Sequence, residues 1–171
     1  MRAPTLRTPP CEHSRRIFLL RGRSDMSRYF TLQEAESLIP TVQEGLKAAI
    51  SAKERIGEID QAMQNLSAHI CMVGGAEINP DKIARQKLER ISLMQLIDDR
   101  VSDIQSSGCL VKDLDLGLLD FPALLNGVEV YLCWKLGESR IEWWHSTQEG
   151  YSGRRRIMDE FDDSSPTPLP N

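Results

Sequence analysis

A chain of 171 residues that is 40% hydrophobic and 27% charged has the size and composition of one globular domain rather than of a disordered segment. No apolar run approaches the roughly 20 residues a helix needs to cross a bilayer. The net charge of −4 conceals an asymmetry: residues 1–25 carry six arginines against Glu12 and Asp25, which leaves −8 for residues 26–171. So acidic a body argues against nonspecific binding to nucleic acid or to anionic lipid.

Cys11, Cys71, Cys109 and Cys133 are scattered and form no C-x-x-C pair, so neither a zinc knuckle nor a redox motif is written in the chain. Reduced thiols in a cytoplasmic protein are the expectation. The only apolar stretch near the start, "IFLL" at 17–20, is shorter than the roughly 7 to 15 residues of a secretory core. Residues 1–27 therefore read as a disordered extension or as a start placed upstream of Met26, with an organelle transit peptide as the lesser alternative.

The folded part opens at "FTLQEAESLIP", where Thr31 and Glu34 have the spacing of a capping box and predict a helix from Thr31. Pro40 lies a little over two turns in, and a kink or break is expected there. Beyond it Val42, Leu46, Ala49, Ile50, Ile56, Ile59, Met63, Leu66 and Ile70 recur in threes and fours, one apolar stripe along a long helix. "VGGAEINPDK" interrupts it, and Asn79 before Pro80 caps a second helix. That helix carries Ile83, Leu88, Ile91, Leu93, Met94, Leu96, Ile97, Val101 and Ile104 and stops at Gly108. Two long helices joined by so short a link form an antiparallel hairpin, here spanning 31–108. Their stripes are broader than one two-helix seam requires, so apolar surface remains for the C-terminal part or for a second copy.

From 109 the period shifts toward two, and 109–147 reads as a β-meander. Asn126-Gly127 is the signature of a two-residue type I′ hairpin; Gly137-Glu138 is a weaker second turn. If both turns hold two residues, one face collects Leu119, Phe121, Ala123, Val128, Val130, Leu132, Trp134, Ile141, Trp143 and His145 against the core. The other face then carries Asp120, Pro122, Tyr131, Cys133, Glu142 and Trp144 toward solvent. Pro122 lacks a donor, which predicts that its strand lies at the sheet edge. Residues 159–171, acidic and then proline-rich, read as a disordered tail. The expected architecture is thus α+β: a long antiparallel helical hairpin packed on a small three- or four-stranded antiparallel β-sheet, in a single domain over 28–158 with disordered termini.

The segments "VKDLDLGLLDFPA", "VYLCWKLGE", "IEWWH" and "GYSGR", after a start of the form "YFTLQEAESLIP", resemble a bacterial family catalogued as a domain of unknown function, DUF2203, over about residues 28–157. The resemblance implies a small prokaryotic cytosolic protein with a helical N-terminal half. It brings no catalytic residue, substrate or cofactor with it.

Cys133 draws attention as a thiol with a histidine nearby in sequence. On the two-residue-turn register it lies between Asp120 and Glu142, carboxylates that would oppose a thiolate, while His145 points to the other side; a structural thiol is expected. Asp120, Cys133 and Glu142 could form a row of three metal ligands, but only one of them is a Cys or His, the types zinc favours, so no metal and no cofactor is expected. Asp113, Asp115 and Asp120 lack the glycine and closing glutamate of a calcium loop and read as turn caps or as partners of Lys112 and the arginines.

Two functional readings follow. The first is a non-enzymatic interaction or scaffold protein, a homo-oligomer, expected as a dimer, joined through its hairpin, with Tyr131 and Trp144 as an exposed aromatic pair that anchors a protein partner. The second is a binding protein or enzyme for a small anion, with Glu138, His145, Tyr151 and Arg154 at the sheet tip, where glycines 150 and 153 admit a ligand and the arginine clamps it. Neither reading involves a membrane, and nucleic acid ranks behind both.

Overall fold

The computed structural model describes residues 28–75 and 77–158; the expectations for 1–27 and 159–171 lie outside them. Two helices precede five strands: α1 (Leu32–Val73), α2 (Pro80–Ser106), β1 (Leu110–Asp113), β2 (Leu118–Leu125), β3 (Val128–Lys135), β4 (Trp143–Ser146) and β5 (Arg155–Arg156), with a short 3-10 turn at Tyr151–Gly153 between the last two strands. The strands form one antiparallel meander in sequence order. The protein is α+β, as its sequence periodicities imply.

Thr31 caps α1 with its side chain on the Glu34 amide, while the Glu34 carboxylate accepts from the Thr31 amide at 2.9 Å. The expected break at Pro40 does not occur, and α1 runs through it for 42 residues, about 63 Å at the usual rise. The lost backbone bond of an interior proline costs about 3 kcal/mol. Ala35, Ile39, Val42 and Leu46, buried on either side of it, offset that cost by packing. Asn79 caps α2 by accepting from the Lys82 amide at 3.0 Å.

The helices lie antiparallel, with Gly45 against Ile104 at one end and Arg55–Glu89 and Asp60–Arg90 ion pairs farther along. The core fills the space between the sheet, the first half of α1 and the last turns of α2, and includes Phe30, Leu46, Ile104, Phe121, Leu132, Trp134 and Trp144. Past Ile59 no residue of α1 is buried, and Leu88, Ile91 and Met94 of α2 stand exposed. Among the described residues the distal hairpin is therefore a two-helix arm without a third layer.

The turn at Asn126-Gly127 has both residues at positive φ and sets the β2–β3 register expected for it, with Leu125 opposite Val128 and Asp120 opposite Cys133. The β3–β4 register departs from expectation by one residue: Tyr131 pairs with His145, Leu132 with Trp144 and Cys133 with Trp143. Gly137-Glu138 does not close a two-residue turn. The Glu138 carboxylate accepts from the Lys135 amide at 2.8 Å, and its carbonyl accepts from the Trp134 indole N–H at 3.0 Å. The chain then leaves the sheet so that Ile141 enters the core and donates its amide to the Glu36 carboxylate of α1 at 3.2 Å. Because side chains alternate with period two, this single-residue offset turns every β4 side chain over.

Two further expectations change. Pro122 does not mark the sheet edge, since β1 lies outside β2. It does sit beyond the end of the β1 pairing at Asp120, and its carbonyl accepts from the Phe30 amide at 2.8 Å. The missing N–H thus faces a side that no strand occupies. Trp144 is not an outward anchor: it is 7% exposed within the core, on the opposite face from Tyr131.

Candidate metal centre

The offset in β4 assembles a site. Asp120 on β2, Cys133 on β3 and His145 on β4 all project from the outer face of the sheet, and each is buried. Their side-chain heteroatoms lie within 4.8 Å of one another. His145 Nε2 and Asp120 Oδ2 lie 3.2 Å apart. Tetrahedral coordination by one oxygen, one nitrogen and one sulfur places those atoms about 3.3 to 3.5 Å apart, from metal–ligand bonds near 2.0 to 2.3 Å. Two of the three distances' partners, the carboxylate and the imidazole, therefore already stand at bonding separation for one shared cation.

The hydrogen bonds of His145 fix which nitrogen is available. Its Nδ1 lies 2.8 Å from the Ser146 carbonyl oxygen; a carbonyl only accepts, so Nδ1 carries the hydrogen. In the neutral ring Nε2 is then a lone pair aimed at a carboxylate oxygen. Two acceptors facing each other require a proton or a cation between them. A backbone carbonyl holding the distal N–H of an imidazole is also how metal-binding histidines are oriented.

Cys133 has a thiol pushed up to about 12, first by burial and then by the Asp120 charge, with Arg154 working in the opposite direction. Arg154 donates from Nε to the Cys133 sulfur at 3.2 Å and reaches the Glu138 carboxylate at 3.4 Å. Its guanidinium lies 4.5 Å over the Tyr151 ring and 5.7 Å from that of Trp143. Without a metal the thiol stays protonated and is a poor nucleophile. With one, Arg154 supplies a hydrogen bond to the sulfur.

Beside the three groups opens a cavity of about 110 Å³ lined by Lys112, Leu118, Thr147, Gly150 and Tyr151 in addition to the triad. Lys112 Nζ sits 3.6 Å from Asp120 Oδ2 and 4.6 Å over the Tyr131 ring; the Tyr131 and His145 rings are 5.6 Å apart. A metal held by the three side chains would have an open position toward this cavity, the arrangement typical of catalytic rather than purely structural sites.

A family model described as "Uncharacterized conserved protein (DUF2203)" matches residues 28–157. The chain belongs to the DUF2203 family. No curated protein and no solved structure matches it. The DUF2203 match covers both helices and all five strands, and so encloses every residue of the site.

The anion site expected from the DUF2203 sequence is only partly assembled. Glu138, Tyr151 and Arg154 do meet, but the guanidinium fork is engaged by Glu138 and is not available as a clamp. His145 belongs instead with Asp120 and Cys133. Glu142, the third ligand considered from sequence, faces away and pairs with Arg140 and Arg156. The sequence reading placed Asp120 beside Cys133, and offered Lys112 as a partner for the aspartates, but put His145 on the opposite face. The available signal was the tandem Trp143-Trp144: only one of two neighbouring indoles on a strand can face the core, and choosing Trp144 brings His145 to the cysteine. Asp113 caps its own turn, accepting from the Asp115 and Leu116 amides, as expected.

Proposed function

We propose that this DUF2203 protein binds one transition-metal ion of the zinc class through Asp120 Oδ2, Cys133 Sγ and His145 Nε2, with a fourth position open to the adjoining cavity. The observation that carries the reading is the His145 geometry: a ring fixed by Ser146 so that its Nε2 meets a buried carboxylate, with a buried sulfur within 4.8 Å. Mixed O, N and S donors favour zinc, or cobalt in its place, over the oxygen-ligated magnesium and calcium. The test is elemental analysis of protein purified without chelator, followed by cobalt(II) titration. One equivalent of metal and a sulfur-to-cobalt charge-transfer band in the near ultraviolet support the reading. Less than about a tenth of an equivalent, with no such band at saturating cobalt, overturns it.

A second reading, independent of the first, is self-association through the helical arm. Leu88, Ile91 and Met94 are 65%, 59% and 40% exposed and recur every third residue along α2. Among the described residues no third layer covers this stripe, and a second copy packed against it would form a four-helix bundle. Light scattering at tens of micromolar decides it: a dimer supports the reading, a strict monomer removes it.

A further inference from the structure

We infer that the open position of the metal centre takes a small monoanionic oxyanion of carboxylate geometry, such as formate or bicarbonate, anchored by Lys112. This rests on the metal reading above and adds the class of ligand.

The charge around the site carries the argument. Without metal, the carboxylate of Asp120 faces both the ammonium of Lys112 at 3.6 Å and the imidazole of His145 at 3.2 Å. A divalent ion bound to the carboxylate, the thiolate and the neutral imidazole is itself balanced by its ligands. Lys112 is then left with a positive charge that Asp120 no longer offsets. Of the other charged groups nearby, Arg154 pairs with Glu138, Arg155 with Glu149, and Glu142 with Arg140 and Arg156, while Glu129 lies close enough to act on Tyr131. The Lys112 ammonium therefore faces the open position without its carboxylate partner. A small anion bound there would accept a charge-assisted hydrogen bond from it.

The shape of the cavity selects among monoanions. It measures about 110 Å³, room for a handful of non-hydrogen atoms at roughly 30 Å³ per water-sized group. Lys112 lines it together with Thr147, so hydrogen-bond donors stand beside the metal position. A ligand with two oxygens on one carbon can place one on the metal and the other against the lysine ammonium, which a halide cannot do. The ammonium is anchored over the Tyr131 ring at 4.6 Å, which keeps it beside the site when Asp120 turns its charge to the metal.

The test uses the full chain loaded with cobalt(II), whose visible bands respond to the fourth ligand. Formate, bicarbonate and the bulky 2-naphthoate are titrated into wild type, Lys112→Met and Lys112→Arg. Lys112 is well exposed, so neither substitution disturbs the core, and cobalt stoichiometry confirms that each variant retains its metal. The expected result is saturable band shifts with formate and bicarbonate and none with naphthoate. The dissociation constant should rise about tenfold or more in Lys112→Met, as for loss of one charge-assisted hydrogen bond, and largely recover in Lys112→Arg. A formate shift without a bicarbonate shift assigns the site to carboxylates, and the converse assigns it to bicarbonate. The inference is overturned if neither anion moves the bands of cobalt-loaded wild type, if naphthoate binds as well as formate, or if Lys112→Met binds as tightly as wild type. Failure of cobalt to bind at all is a different result and removes the metal reading beneath it.

Discussion

Metal binding at this centre should be coupled to proton release from Cys133, and the size of the coupling follows from the surroundings of the thiol. Buried against Asp120, the thiol is pushed up to about 12, whereas the metal ligand is the thiolate. Bringing a group near 12 to its deprotonated form at pH 7 costs about 7 kcal/mol, at 1.36 kcal/mol per unit. The metal–sulfur bond must exceed that cost before any net affinity remains. The sign is unambiguous: the proton must leave, so raising the pH lowers the cost and strengthens binding. Cys133 alone should contribute about a tenfold rise in affinity per pH unit throughout the range from pH 7 to about 9. Competition with a chromophoric chelator at several pH values measures the slope, and calorimetry in buffers of different ionisation enthalpy counts the protons directly. In Cys133→Ala the slope of log affinity against pH should fall by one unit relative to wild type. An equal slope in the two proteins, or no proton released by wild type, would refute the reasoning.

Other consequences are open to measurement. In metal-free protein the Cys133 thiol, raised above its ordinary value of 9.0 in the folded state, contributes stability that is complete below pH 9 and lost as the pH climbs toward 12. Urea denaturation should therefore show wild type losing about 2 kcal/mol more than Cys133→Ala between pH 9 and about 10.5. Trp144→Ala should cost about 3 to 5 kcal/mol, since it empties a large site in the core; a loss under about 0.5 kcal/mol, typical of surface changes, would restore the outward placement of that indole. Ile91→Asp, on the exposed stripe of α2, should abolish any self-association seen by light scattering while changing monomer stability by no more than about 0.5 kcal/mol. A dimer that survives Ile91→Asp would locate the contact elsewhere.

Much of this architecture is legible in the chain because it rests on local physics. Thr31 and Glu34, Asn79 and Pro80, and Asn126-Gly127 each specify a backbone geometry within four residues, and each forms the cap or turn it specifies. The uninterrupted course of α1 through Pro40 was not legible, because the packing of Ala35, Ile39, Val42 and Leu46 that offsets the proline is a tertiary effect. The site failed to emerge for a related reason. The parity of β4 depends on whether 136–142 closes as a tight turn or as a longer connection. That choice is made by the Glu138 carboxylate on the Lys135 amide and by the Ile141 amide on Glu36, the second of which spans 105 residues of sequence. A local reading sees Gly137-Glu138 and has no access to Glu36. One residue of offset then moved His145 from the core side to Asp120 and Cys133 and sent Trp144 the other way.

The central claim, that Asp120, Cys133 and His145 share one metal ion, is tested most directly by X-ray absorption at the zinc edge on protein reconstituted with one equivalent. The account predicts a four-coordinate first shell with a single sulfur near 2.3 Å, the remaining scatterers being nitrogen and oxygen near 2.0 Å, and with imidazole outer-shell features that vanish in His145→Ala. A shell of six oxygens with no sulfur, or a spectrum unchanged by His145→Ala, would contradict it.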